Sequence, residues 1–178
     1  MNDDWKLVTN DVYYAPPGLT LSDAGTIARL KAHAETSPRK RARLCYHDDA
    51  DARLHNMLIV MQGGAYVRPH KHLQKAESFL VLEGRGFLCL FKEDGTPEAF
   101  SQLAGADNGG TFFYHMPVGR FHTQLFLSDW VVFHESTLGP FNPDETTQAP
   151  WAPPEGDPGA ESYMKELLAM AHASATAP

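Results

Sequence analysis

Between residues 53 and 136 the chain repeats one pattern: a short apolar run followed by a turn signal. Residues 54–61, 78–82, 87–91, 111–116, 121–127 and 130–135 all have strand length and are dominated by aliphatic and aromatic side chains. Glu83-Gly84-Arg85-Gly86 predicts a tight hairpin, and Glu93-Asp94-Gly95-Thr96 and Ser128-Asp129 predict two further turns. No helical period interrupts the series. Short strands at this spacing predict an antiparallel sandwich or barrel, and a jelly roll is the closed form with room for a site inside.

The flanks read differently. Pro16-Pro17-Gly18 marks loop. From Leu21, the residues Ile27, Leu30 and Ala34 recur at helical spacing, Ser22 or Asp23 stands where a cap belongs, and Ser37-Pro38 ends the run. Arg39, Lys40, Arg41 and Arg43 follow as the one dense basic cluster. After Gly139, prolines at 140, 143, 150, 153, 154 and 158 predict an extended arm with no part in the core. Residues 161–173 then predict a closing helix, with Tyr163, Leu167, Leu168 and Met170 on its apolar side. The chain divides into an N-terminal helical extension (1–43), a β-barrel (44–138) and a C-terminal arm and helix (139–178) that packs on the barrel or on a partner subunit.

Composition narrows the class. A length of 178 residues with 43% hydrophobic content suits one soluble domain with a real core. A net charge of −7 argues against nucleic acid or an anionic membrane surface as a partner. No apolar run approaches the ~20 residues of a membrane span, and the start of the chain has no basic-then-apolar leader pattern. Cys45 and Cys89 are not spaced as a ligand pair, so a cytoplasmic protein with two reduced thiols is the expectation.

The nine histidines raise the question of which converge. His70 and His72 stand at i and i+2, so on a strand they share one face, and Glu77 follows across a short bend. Imidazoles with a carboxylate form a ligand set for zinc, iron, manganese, nickel or copper. The run Gly64-x5-His70-x-His72-x4-Glu77-x6-Gly84 resembles the first motif of the cupin superfamily at every fixed position. Downstream, Pro117-Val118-Gly119-Arg120-Phe121-His122 resembles the core of the second motif, with Gly110 one residue further away than usual and Phe126 where Asn is common. The resemblance implies an all-β fold, the cupin double-stranded β-helix, flanked here by the N-terminal helix and the C-terminal arm and helix. It implies His70, His72, Glu77 and His122 as ligands of one divalent transition metal. A 3-His/1-Glu set leaves two open octahedral positions and leans toward iron, manganese or nickel over zinc.

Arg41-Ala42-Arg43-Leu44-Cys45-Tyr46-His47, Arg68-Pro69-His70, Lys75-Ala76-Glu77-Ser78-Phe79 and Gly139-Pro140-Phe141 extend the likeness. Together these look like the WbuC family of cupin-fold metalloproteins, over roughly residues 41–141. That family is associated with bacterial surface-polysaccharide (O-antigen) gene clusters, so the resemblance implies a sugar-related ligand and a homodimer.

Strand parity supplies further candidates. Tyr66 and Arg68 fall on the parity of His70 and His72, and Gln124 on that of His122. Arg68 and Gln124, with His134, are read as substrate-binding, since a guanidinium beside a metal grips a carboxylate or phosphate in bidentate fashion. Tyr66 and His115, and Glu83 beside them, are read as proton carriers. His33, His47 and His172 read as structural or surface residues, and Cys89 as a buried inert thiol. The function classes carried forward are a metal-dependent isomerase or epimerase acting on a small oxygenated molecule such as a sugar derivative, an Fe(II)-dependent dioxygenase, and a non-catalytic metal-containing sugar-binding or accessory protein.

Overall fold

The computed structural model describes residues 5–175; the first four residues of the N-terminal extension and the last three of the C-terminal region lie outside the described residues. The elements in chain order are β1 (Lys6–Thr9), β2 (Val12–Tyr14), α1 (Ala24–Thr36), β3 (Arg41–Cys45), β4 (Leu54–Gln62), β5 (His70–His72), β6 (Glu77–Glu83), β7 (Arg85–Phe91), β8 (Pro97–Ala104), β9 (Phe113–Met116), β10 (Phe121–Phe126), β11 (Trp130–Leu138), β12 (Thr146–Gln148) and α2 (Gly159–Ala175). They form a seven-stranded sheet, β1-β2-β3-β4-β11-β6-β9, facing a five-stranded sheet, β12-β5-β10-β7-β8.

Each sheet is covered on both faces. Between the sheets lie Met57, Ile59, Phe79, Val81, Leu88, Phe126 and Phe133. The opposite parity of the seven-stranded sheet (Ala42, Leu44, Leu58, Val60, Val132) packs under Leu30 and Ala34 of α1. The outer parity of the five-stranded sheet (Phe87, Cys89, Phe91, Phe121, Leu125) packs under Ala149, Ala152, Leu167 and Ala171. Four layers explain why the strands read as nearly continuous apolar runs rather than a strict alternation.

Several sequence expectations meet their physical limits here. Helix α1 begins with Asp23 as N-cap in a reciprocal capping box with Thr26. β1 and β2 occupy a stretch that reads as loop, because β2 is short and is held by parallel pairing to β3 rather than by a pattern of its own. β8, with three polar or charged positions and a proline at its start, has no apolar run to betray it; its pairing with β7 defines it. The proline-rich arm is a correction. Its residues 146–148 form β12 on the edge of β5, and Ala149 and Ala152 are fully covered, so the arm is part of the core. Arm and helix pack on the same chain's sheet. Small alanines let the backbone lie close to the Phe-rich outer face, a contact that hydrophobic periodicity does not reveal.

Because α2 is an integral layer, Leu167→Ala is expected to destabilise the whole fold by roughly 3 kcal/mol in urea unfolding, as one transition. Loss of α2 alone, with the rest unfolding at the unchanged midpoint, would mean that the helix is an independent appendage.

Candidate metal centre and its cavity

Strand pairing sets the centre. β5 lies between β12 and β10, and His70 is the direct cross-strand partner of His122. Cross-strand partners share a face, and His72 shares it by parity. One nitrogen from each of the three rings lies within 4.8 Å of the others. Glu77 opens β6 in the facing sheet and closes the group from above: His122 Nε2 lies 2.9 Å from Glu77 Oε1, and His72 Nε2 lies 3.2 Å from Oε2.

The far side of each ring fixes its proton. His70 Nδ1 meets the Arg68 carbonyl at 2.9 Å, and His122 Nδ1 meets the Arg120 carbonyl at 2.9 Å. A carbonyl only accepts, so each Nδ1 donates, and the neutral ring then turns a lone pair on Nε2 inward. His72 Nδ1 is 3.1 Å from the Thr146 hydroxyl, which the arm delivers through β12. At the centre, His122 Nε2 and Glu77 Oε1 are buried, and their close approach lacks the alignment of a hydrogen bond. Left as two acceptors they would repel, so the contact calls for a proton or a metal ion to join them. The donor set of three imidazoles and one carboxylate, already oriented by its outer partners, fits a divalent transition metal.

Without a metal, the group is electrostatically divided. Burial, reinforced by neighbouring His122, pushes His70 down to about 4. Burial alone would raise Glu77 and lower His122, but their mutual contact reverses both: Glu77 is held far below the carboxylate range and His122 is raised.

The group forms one wall of a cavity of about 240 Å³ between the sheets. Its other walls include Arg41, Arg43, Arg68, Lys75, Gln124, Met57, Phe79, Phe133 and Glu135, and the more exposed Arg39 and Glu155 also line it. Arg68 Nη2 donates to the Ala149 carbonyl at 2.7 Å, while its buried Nε has no partner. Gln124 donates to the Tyr114 hydroxyl at 2.6 Å. Arg41 is fastened to Asp11 at 3.0 Å, and Arg39 is bidentate to Glu155 of the arm. Burial, then the nearby Arg43 and Arg39, lower Arg41 to about 10.

Three residues expected by parity are elsewhere. Residues 65–69 are not strand, so Tyr66 turns away and its hydroxyl donates to the Pro153 carbonyl. His115 is exposed on edge strand β9, against Ser78. His134 has the parity of Val132, which packs under α1, and not that of Phe133 and Glu135 on the cavity. Glu83 is also outside, paired with Lys31 on the surface. Sequence reasoning misses Glu135. It is the one carboxylate of the cavity interior that contacts no histidine or arginine within salt-bridge range among the described residues, and burial, then the charge of Glu77, push it up to about 7. A signal for it exists, since Val131, Phe133 and Glu135 alternate on one face.

A family model described as "Domain of unknown function (DUF6016)" matches residues 22–103. Among solved structures, CapF with the inhibitor 3-isopropenyl-tropolone aligns with 64% of this chain and 33% of its own, at 20% identity and a TM-score of 0.50. The fold is that of the cupins. CapF from Staphylococcus aureus, a capsular polysaccharide assembling protein, aligns with 60% of this chain and 31% of its own (20% identity, TM-score 0.46). Oxalate decarboxylase from Bacillus subtilis aligns with 54% and 24% (19% identity, TM-score 0.44). The chain therefore spans about a third or less of the length of these proteins. No curated protein matches it, and among the described residues no helix is long and apolar enough to cross a membrane.

The pKa shift of His70 has a direct consequence. Its folded value lies below the free value of 6.5, so unfolding takes up a proton between those limits and stability falls as pH drops from 6.5 toward 4. Glu77 adds a loss in the same direction below 4.5, while the raised His122 acts in the opposite sense. In metal-free protein, wild type should lose about 3 kcal/mol more than His70→Asn across about pH 6.5 to 4, read by urea unfolding. Parallel pH profiles for the two proteins would contradict the buried neutral ring.

Proposed function

We propose that this protein is a metal-dependent enzyme that moves a proton on a small oxygenated molecule, a sugar derivative, as isomerases and epimerases do. The observation that carries the reading is the pairing of a three-histidine, one-glutamate centre with Glu135 inside one small cavity. A divalent ion held by His70, His72, Glu77 and His122 supplies Lewis acidity toward a chelating pair of substrate oxygens. Proton movement falls to the chain. Glu135 stands one row along the sheet from Glu77, because Thr137 pairs with Glu77 and Glu135 pairs with Phe79. A carboxyl poised near neutrality there can take and return a proton. Phe79, Phe133 and Met57 keep the surroundings apolar, and Arg68 offers its unpartnered Nε as a donor to the substrate.

The sugar rests on the WbuC resemblance and its link to surface polysaccharides. The same reading has the protein working in the cytoplasm, consistent with two free buried thiols, and as a homodimer. The arm, folded onto its own chain, no longer argues for the dimer; the exposed Leu82, Phe112 and Phe113 around edge strand β9 do.

The test is exchange of carbon-bound hydrogen. Metal-loaded protein is incubated with aldoses, ketoses, uronates and sugar phosphates in deuterium oxide under nitrogen, and deuterium incorporation is followed by NMR. Incorporation into one of them, reduced roughly 10²–10⁴-fold in Glu135→Gln and abolished in His122→Ala, is the expected result. Oxygen consumption by iron-loaded protein would favour the dioxygenase instead, and tight binding without exchange would favour the non-catalytic protein.

A further inference from the structure

The chain carries a net charge of −7, yet five cationic side chains line its cavity against three acids. Arg68 is tied through Nη2 to the Ala149 carbonyl, and the other four divide into two kinds. Arg39 and Arg41 are committed to Glu155 and Asp11 and fasten the arm at the cavity rim. Arg43 and Lys75 are not committed. Arg43 is on β3, whose Ala42 and Leu44 pack outward under α1, so its guanidinium enters the cavity. Among the described residues its one hydrogen-bond contact is with the Met57 sulfur at 3.9 Å, a poor acceptor for a group with five N–H donors. Lys75 is 7% exposed, lies over the Phe141 ring at 5.5 Å, and has no carboxylate within 4 Å among the described residues. Neither has a carboxylate within salt-bridge range among the described residues, although both lie within electrostatic reach of the buried Glu135 and burying unpaired charge is costly.

We infer that Arg43 forms an oxyanion-binding end of the cavity, and that the ligand carries a carboxylate or phosphate there while its neighbouring oxygens face the histidine–glutamate centre. This deepens the reading above and rests on it for the second half of the ligand. Cross-strand register gives the layout: Arg43 aligns with Ile59 and Phe133, Glu135 with Met57 and Phe79, and Glu77 with Thr137. The three charged groups thus occupy successive inward positions along the sheet, with the proton carrier between anion end and metal end; Lys75, two residues before Glu77, belongs to the metal end. A cavity of about 240 Å³ falls below the ~300 Å³ where pockets for drug-sized ligands begin, so the anion is of monosaccharide size or smaller. An anion also answers the specificity problem: a neutral sugar would leave the Arg43 guanidinium desolvated without an anionic partner.

Calorimetric titration of the purified protein with glucose, glucuronate and glucose 6-phosphate, with metal per chain measured on each sample, tests this. At least one of the two anions should bind at least about tenfold tighter than glucose, and which one does so separates carboxylate from phosphate. Arg43→Met should weaken that binding roughly thirtyfold and Arg43→Lys less, with metal content and melting temperature held. Arg43-dependent anion binding by a protein that holds no metal would support this site while sinking the metal reading. Equal binding of glucose, failure of both anions to bind, or variants that bind like wild type would overturn the inference.

Discussion

Two acceptors facing each other across the gap between the sheets, the Nε2 of His122 and the Oε1 of Glu77 at 2.9 Å, set the terms for the rest of this molecule. One comes from β10 in the five-stranded sheet, the other from β6 in the seven-stranded sheet. Burying them together is favourable only with positive charge between them. Their outer partners decide what that charge can be. With His70 and His122 each donating Nδ1 to a backbone carbonyl, the inward nitrogens are lone pairs, which suits a metal better than a second proton. The arm belongs to the same arrangement: β12 holds β5 in place and brings Thr146 against His72.

Charge distribution carries this logic outward from the centre. An acidic protein that concentrates cations inside one cavity focuses its field on a small anion and presents an acidic exterior elsewhere. The pairing of Arg39 with Glu155 and of Arg41 with Asp11 then has a structural task, tying the arm and the β1–β2 turn to the cavity rim while leaving Arg43 without a salt bridge among the described residues.

The ligand motif is legible in the sequence because it depends on local spacing: i, i+2 parity for His70 and His72, and a short bend before Glu77. His122 comes from a second motif, and only the β5–β10 pairing shows that it faces His70. Parity fails where the chain is not a strand. Counting back from His70 puts Tyr66 in the cavity, but the intervening residues have no ladder to hold the alternation. His134 is misplaced for the opposite reason. Both faces of β11 are apolar, so its sequence does not say which one meets the cavity. Arg43 and Thr146 act through long-range pairing, and the basic cluster at 39–43 turns part of its charge inward.

The most direct test of this account is metal per chain in untagged protein by mass spectrometry, beside a His70→Ala/His72→Ala variant that remains folded. The account predicts about one equivalent of a divalent transition metal in wild type and none in the variant. Equal metal in both, or none in wild type after reconstitution with iron, manganese, nickel and zinc, would contradict it and leave the His122–Glu77 contact as an imidazolium–carboxylate pair.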